Sequence, residues 1–456
     1  MGAFFYSAYW PFVVLVLSIV LVVLMIGRWR IHPFIALILS AIFVGLISPS
    51  IPSLPDQVPL VSIVELPMIE FGVMAGKIAW VIALAAIIGT AMMESGAAEQ
   101  IVKWLLKTLG EKQAALALAL SGFILSIPVF FDTVFFLLIP LGITLALKTG
   151  RDFVLYVIVI GGGALISHSV VPPTPGPLIM AETLGIDLGT TILAGLISGI
   201  IPTIALLWVA KRLNKRMNIP VRVPVPEVSA THNPPSLMLS VLPIVLPLLM
   251  ISLASVVEAV TGRIPDWIAF QGNKNIAMAV GTCVALLIWA RAKKLRVNDL
   301  WKGVAQPLEI GGIIILITSA GGAYGAMIQH SGIGEAIKYA TQGFNVHYLV
   351  LAWLIAAIMK IAQGSGTVAL ITTAAIMAAL IGPEYALPYH PVYVFLSIGF
   401  GSLFGSWMND SAFWVVARMS GFTEREALHT WTFSMCVLSV VGFAQILVLS
   451  WVFPLI

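Results

Sequence analysis

Apolar runs close to the thickness of a bilayer, cut by prolines and bounded by basic clusters, leave this chain few ways to fold. Residues 11–26, 34–47, 77–93, 153–169, 191–210 and 276–290 are such runs. A helix rises ~1.5 Å per residue, so about 20 residues cross a ~30 Å hydrocarbon core. Backbone in lipid must satisfy its own hydrogen bonds, which makes these runs helices. Composition agrees: the AVILMFWYC set makes up 60% of the 456 residues and charged residues 10%, against roughly 25% charged in a soluble domain. The sequence predicts an all-α polytopic membrane protein with the lipid bilayer as its main surroundings. With 24 Lys+Arg against 20 Asp+Glu the net charge is only +4, and no basic stripe marks a nucleic-acid partner. Cys283 and Cys436 lie inside apolar runs, too few for a disulfide framework or a zinc site. They are expected as small core residues.

Charge sets the orientation. No basic residue precedes the run 11–26, whereas Arg28 and Arg30 follow it at once. That pattern is wrong for a signal peptide and puts the N-terminus outside. Residues 34–47 return outward, the loop 48–60 carries no Lys or Arg, and 77–93 comes back in. Residues 97–109 carry Lys103 and Lys107 on an apolar pattern, the signature of an amphipathic helix on the cytoplasmic interface. After Lys112, residues 114–127 and 129–147 are apolar, Pro128 lies between them, and Lys148 and Arg151 follow. Basic residues at both ends, and a first arm too short for the core, predict a re-entrant hairpin with its tip at 126–133. Residues 153–169 then run outward into Pro172, Pro173, Pro175 and Pro177, which no continuous helix accommodates. This is a broken helix. Residues 191–210 return to Lys211, Arg212, Lys215 and Arg216, and 211–236 is a cytoplasmic linker.

The second half repeats the first. Ser95, Gly96, Glu99 and Ile101 recur as Ser331, Gly332, Glu335 and Ile337; Thr133 and Val134 recur as Thr367 and Val368; Tyr156, Val157 and Gly162 recur as Tyr393, Val394 and Gly399. The separation is nearly constant, and the odd number of spans between the copies turns one upside down. The charges agree, because 276–290 ends at Arg291, Lys293, Lys294 and Arg296, whereas a second hairpin, 346–361 and 368–381, is flanked by neither Lys nor Arg. The expectation is two inverted repeats, 1–210 and 237–456, joined by the linker 211–236. They comprise about ten transmembrane helices, two re-entrant hairpins and two broken helices, an architecture of secondary transporters.

Charged side chains at membrane depth cost at least a few kcal/mol and are functional candidates. Asp132 sits at the first tip, Lys360 just before the second tip at 363–367, Asp410 in the second break, and His168 beside the first. Plainer roles stand beside these: a structural Lys360–Asp132 pair, a core histidine, and an Asp410 that merely caps a helix. Gly364, Ser365, Gly366 and Thr367 leave backbone N–H groups free at a helix start, whose dipole favours an anion. With Lys360 as a point charge and Ser126, Thr133, His168, Thr174, Asn409 and Ser411 as polar partners, they describe a pocket for a small organic anion. Asp132 is the first candidate for a coupling proton, followed by Asp410. No metal site, cofactor or catalytic constellation is read.

The strings FFDTVFFLLIPL, ISHSVVPPTPGPL, IAQGSGTVALITTAAI and SWMNDSAFWV, in this order and spacing, resemble the gluconate permease (GntP) family of the wider ion transporter superfamily. The resemblance runs from about Pro11 to Phe453. It implies proton-coupled uptake of gluconate and related sugar acids, hydroxy acids or D-serine across a bacterial inner membrane. It further implies a homodimer with an elevator-like mechanism, in which transport parts (114–210 and 346–456) move past scaffold helices (10–93 and 237–324). Rivals are weaker. Gly72, Gly76 and Lys77 lack the Walker spacing of a nucleotide site, and neither HExxH nor GxSxG is present. Sodium coupling of a carboxylate transporter and a passive anion channel remain the alternatives.

Overall fold

The computed structural model describes residues 9–49, 51–54, 58–217, 219–223, 234–333, 336, 347–382, 387–408 and 410–455, and the statements below concern these. The chain is all-α. In order come α1 (Trp10–Val23), α2 (Pro33–Ile47), α3 (Pro59–Glu94), α4 (Ala97–Leu109), α5 (Ala114–Leu125), α6 (Phe131–Thr149), α7 (Phe153–Val170), α8 (Pro175–Thr183), α9 (Leu188–Ser198) and α10 (Ile200–Arg216). The second half holds α11 (Leu237–Thr261), α12 (Asp266–Gly272), α13 (Lys274–Lys293), α14 (Val297–His330), α15 (Tyr348–Gln363), α16 (Gly366–Ile381), α17 (Val392–Gly401), α18 (Ser411–Ser420), α19 (Glu424–Ala427) and α20 (Phe433–Val452). Eight segments among the described residues are long and apolar enough to cross a membrane, and shorter apolar helices lie between them.

One set of helices packs around α3 and α14. These two lie along each other; α13 covers α3, α2 covers α14, and α11 packs on α13. Both are longer than the hydropathy suggests. α3 has 36 residues and carries Pro67, and α14 has 34 and carries Pro307. The expected outer loop 48–60 and the stretch before residue 77 are therefore corrected: helix begins at Pro59, with proline in the first turn where its fixed φ costs nothing. Glu65 and Glu70 within that stretch mask the helix from a hydropathy reading. α13 likewise extends beyond the expected 276–290.

The other set is centred on α7 and α17. Every residue of α7 is buried except His168, and all of α17 is buried. α5 crosses α7 at glycine: a Cβ on Gly163 would stand 2.3 Å from the Ala119 carbonyl oxygen, and one on Gly122 2.6 Å from that of Ile160. α15 meets α17 in the same way, a Cβ on Gly401 standing 2.6 Å from the Trp353 carbonyl oxygen. Small residues let membrane helices approach to backbone contact. The pieces after the two breaks cross over: α8 packs on α16, and α18 packs on α6. Each half thus completes the other's helix pair.

α4 spans the residues expected of the amphipathic helix. Ala97, Ala98, Ile101, Val102 and Leu105 face the protein, while Glu99 and Lys103 pair at 2.7 Å along its outer side. Both cysteines depart from expectation, Cys283 being exposed and Cys436 half-buried. From the linker, Ile219 is buried, and Arg222 grips Glu426 with two hydrogen bonds of 2.7 and 2.9 Å. Glu335 and Ile337 of the repeat pattern, and residues 224–233 of the linker, lie outside the described residues.

Candidate functional site

Four helix ends meet at a cavity of about 370 Å³. α6 brings Phe131, Asp132 and Thr133 in its first turn; α16 brings Gly366 and Thr367, with Ser365 just before; α18 brings Ser411 and Ala412, with Asp410 just before; and the C-terminal end of α7 brings His168 and Ser169. Three of these ends are N-termini, so unpaired backbone N–H groups converge there with the positive ends of the dipoles. The sequence makes the breaks locally. Gly364 ends α15 at φ +82°, a left-handed conformation that favours glycine, and the Ser365 hydroxyl caps α16 by accepting from the Val368 N–H at 3.3 Å.

Lys360 and Asp410 form the buried centre. The Lys360 ammonium donates to Asp410 Oδ2 at 2.7 Å and to the Gly364 carbonyl at 2.8 Å, with both side chains 3% exposed. Asp410 Oδ1 accepts from the Ala412 N–H at 3.1 Å, capping α18. The Ser406 hydroxyl donates to Oδ2, and Trp431 Nε1 donates to Ser406 Oγ at 2.8 Å. The plainer alternative, a structural Lys360–Asp132 pair, is not what forms: the lysine pairs with Asp410, which the crossing of α18 over α6 carries to it. Asp410 also keeps its capping role. Asp132 is exposed to the cavity instead of enclosed, and no described residue hydrogen-bonds its carboxylate.

The structure gathers Asp132, Thr133, His168, Lys360, Ser365, Gly366, Thr367, Asp410 and Ser411 around one cavity. Ser126 and Thr174 are not in its lining. Both are buried and spend their hydroxyls on backbone carbonyls: Ser126 on Val129 at 3.4 Å, Thr174 on Val171 at 2.7 Å and His168 at 3.2 Å. Gly364 contributes through its carbonyl rather than the lining, and Asn409 lies outside the described residues. His168 keeps a buried Nδ1 with no partner among the described residues. Ser169, Ser402, Ser406 and Trp431 escaped the sequence reading, although the first three are hydroxyls near a break. Ile310 and Ile314 of α14 form an apolar wall and carry no sequence signal at all. Among the described residues, no group of three His, Cys, Asp or Glu side chains is placed to hold a metal ion.

Comparison with known proteins follows the same lines. The model of the GntP family permeases matches residues 10–452. A gluconate permease of Pseudomonas aeruginosa is 32% identical over 445 residues, covering 95% of this chain and 96% of its own. The Gnt-II system L-idonate transporter of Escherichia coli is 27% identical, covering 96% and 99%. The fold is similar to that of the YdaH transporter of Alcanivorax borkumensis, with a TM-score of 0.65 at 16% identity over 93% of this chain and 99% of that one. It is equally similar to Neisseria gonorrhoeae MtrF, with a TM-score of 0.66 at 14% identity over 95% and 97%. The chain belongs to the GntP permease family, and is a multi-pass permease of the bacterial inner membrane and not an enzyme.

Proposed function

We propose that this permease is a secondary transporter that takes up a small organic anion, a sugar acid such as gluconate or a short hydroxy acid, together with protons. The charge of the cavity carries the reading. Asp132, Lys360 and Asp410 face it as two carboxylates and one ammonium, so with all three ionised its sum is one negative charge. An anion added to that sum is repelled unless a proton enters with it. Protonation of Asp132, the carboxylate open to the cavity, leaves a balanced Lys360–Asp410 pair and three helix N-termini to receive the substrate carboxylate. Lys360 has three donors, two of which are engaged; the third serves the anion. The first turn of α16 leaves room beside the lysine, since even a Cβ at Gly366 would stand 3.7 Å from Lys360 Nζ, an ordinary contact distance. The names of the P. aeruginosa and E. coli relatives support a sugar acid, and the volume suits one small molecule.

The moving parts are 114–210 and 346–456, and the fixed parts 10–93 and 237–324, in a homodimer working as an elevator. Every polar group of the cavity lies in the former, while Ile310 and Ile314 of the fixed α14 offer a surface without hydrogen bonds to break. The test is a thermal-shift panel of sugar acids, short hydroxy acids and D-serine at pH 5.5 and 7.5, with and without sodium. A sugar acid should raise the Tm, and more so at pH 5.5. Stabilisation that requires sodium and ignores pH overturns proton coupling.

A further inference from the structure

We infer that Ser406 and Trp431 are positioning residues for transport: through them Asp410 is held as the permanent counter-ion that aims Lys360 into the cavity, and the coupling proton travels on Asp132 instead. This rests on the proton-coupled reading above and divides its two acidic candidates between separate tasks.

The direction of the hydrogen bonds carries the argument. An indole N–H can only donate. Ser406 Oγ therefore accepts from Trp431 at 2.8 Å, and its single proton is left to point at Asp410 Oδ2. Oδ2 already accepts from the Lys360 ammonium at 2.7 Å, and Oδ1 accepts from the Ala412 N–H at 3.1 Å. Three donors thus converge on one carboxylate. A proton arriving on it would face these donors with no acceptor of its own.

The chain is anchored away from the cavity. Trp431 is fully buried, its ring lies 5.8 Å from that of Phe131 at the start of α6, and its six-membered ring presses on Gly161. The neighbouring Thr432 hydroxyl donates to the Ser406 carbonyl, so backbone and side chain of residue 406 are both pinned from the entry to α20. Asp132 has the opposite surroundings: open to the cavity and hydrogen-bonded by no described residue. The titratable groups facing Asp410 are Asp132 from α6, His168 from α7 and Lys360 from α15. Of these, only Lys360 is bonded to it. A carboxylate that must gain and lose a proton in each cycle suits the free position, and one that must keep an ammonium in place suits the braced one.

Two measurements on the full chain test this. In proteoliposomes loaded for uptake of labelled gluconate, Ser406→Ala should raise the half-saturation constant about tenfold, the scale of one lost hydrogen bond to a charged group. The pH at which uptake is half-maximal should stay put. Trp431→Phe, which keeps a ring but loses the N–H, should act in the same direction. A fall in maximal rate alone, tracking the amount of folded protein, overturns the positioning role, and so does a displaced pH midpoint. The second measurement needs no substrate: the infrared difference between acidic and alkaline protein. Loss of a protonated-carboxyl band in Asp132→Asn supports the assignment, and loss in Asp410→Asn overturns it. Loss in neither overturns Asp132 as the carrier and moves the proton to another group of the cavity, whereas the proton-coupled reading falls only if substrate stabilisation ignores pH; the half-saturation constant still decides the role of Ser406.

Discussion

Lys360 survives at 3% exposure because Asp410 stands 2.7 Å away and the Gly364 carbonyl 2.8 Å away. Removing one member of such a pair strands the other, at a cost of ~3–5 kcal/mol. Lys360→Gln should therefore lower both folded yield and transport, whereas Lys360→Met combined with Asp410→Leu should recover yield and stay inactive. Lys360→Arg keeps the charge but presents a planar fork, so competition among unlabelled acids should change its order more than yield changes. Unaltered half-saturation in Lys360→Gln would refute the role. Asp132→Asn should still exchange bound substrate yet fail to accumulate it down a pH gradient, and accumulation by that variant in response to external acid would move the proton elsewhere. The charged candidates were legible because ions at membrane depth are rare and sat beside visible breaks. Which acid meets the lysine was not, since that depends on a crossing between halves. Nor is the partner of a hydroxyl written in sequence, as Ser126 and Thr174 show by turning to nearby carbonyls.

Among the elements, α7 depends on glycine where α5 crosses it. A methyl on Gly163 would meet backbone at 2.3 Å, while Gly72 has nothing within 4 Å. Gly163→Ala should cost about 1–3 kcal/mol, read as a lower Tm of the purified protein, and Gly72→Ala should leave it unchanged. α17 begins differently. His390 Nδ1 accepts from the Val392 N–H at 3.1 Å in the segment preceding α17, outside every span. Burial pushes the His390 pKa down from its usual value, against a smaller upward pull from Asp187. The folded chain then binds fewer protons there than the unfolded one, so this contribution is complete above about pH 6.5 and is lost as pH falls below it. His390→Asn, which keeps an acceptor but does not titrate, should flatten that acid-side fall in Tm. The breaks at Pro172–Pro177 and Gly364–Gly366 could be read from residue type alone. The lengths of α3 and α14 could not, because Glu65, Glu70, Lys302 and Glu309 interrupt their hydropathy while their helices continue.

At the scale of the whole molecule, an ion pair among the described residues joins the two sets of helices: Lys274 at the start of α13 holds Glu182 near the end of α8. If 114–210 travels past 237–324, this pair must part in every cycle. With Cys283 and Cys436 replaced by serine, a cross-link between Glu182→Cys and Lys274→Cys should stop uptake until reductant is added. Sustained uptake by cross-linked protein would rule out the sliding movement. The two isoleucines of α14 have a consequence of another kind. Ile310 and Ile314 can exclude water and limit girth, but they offer a ligand no hydrogen bond, so they cannot tell apart acids of equal size that differ in their hydroxyls. On the proposed function, discrimination by hydrogen bonding falls to the polar rims on α6, α7 and α15 through α18. If the proposed sliding movement holds, appetite and travel are inherited separately in this chain: taste can drift in one set of helices while the track it would ride on stays as it was.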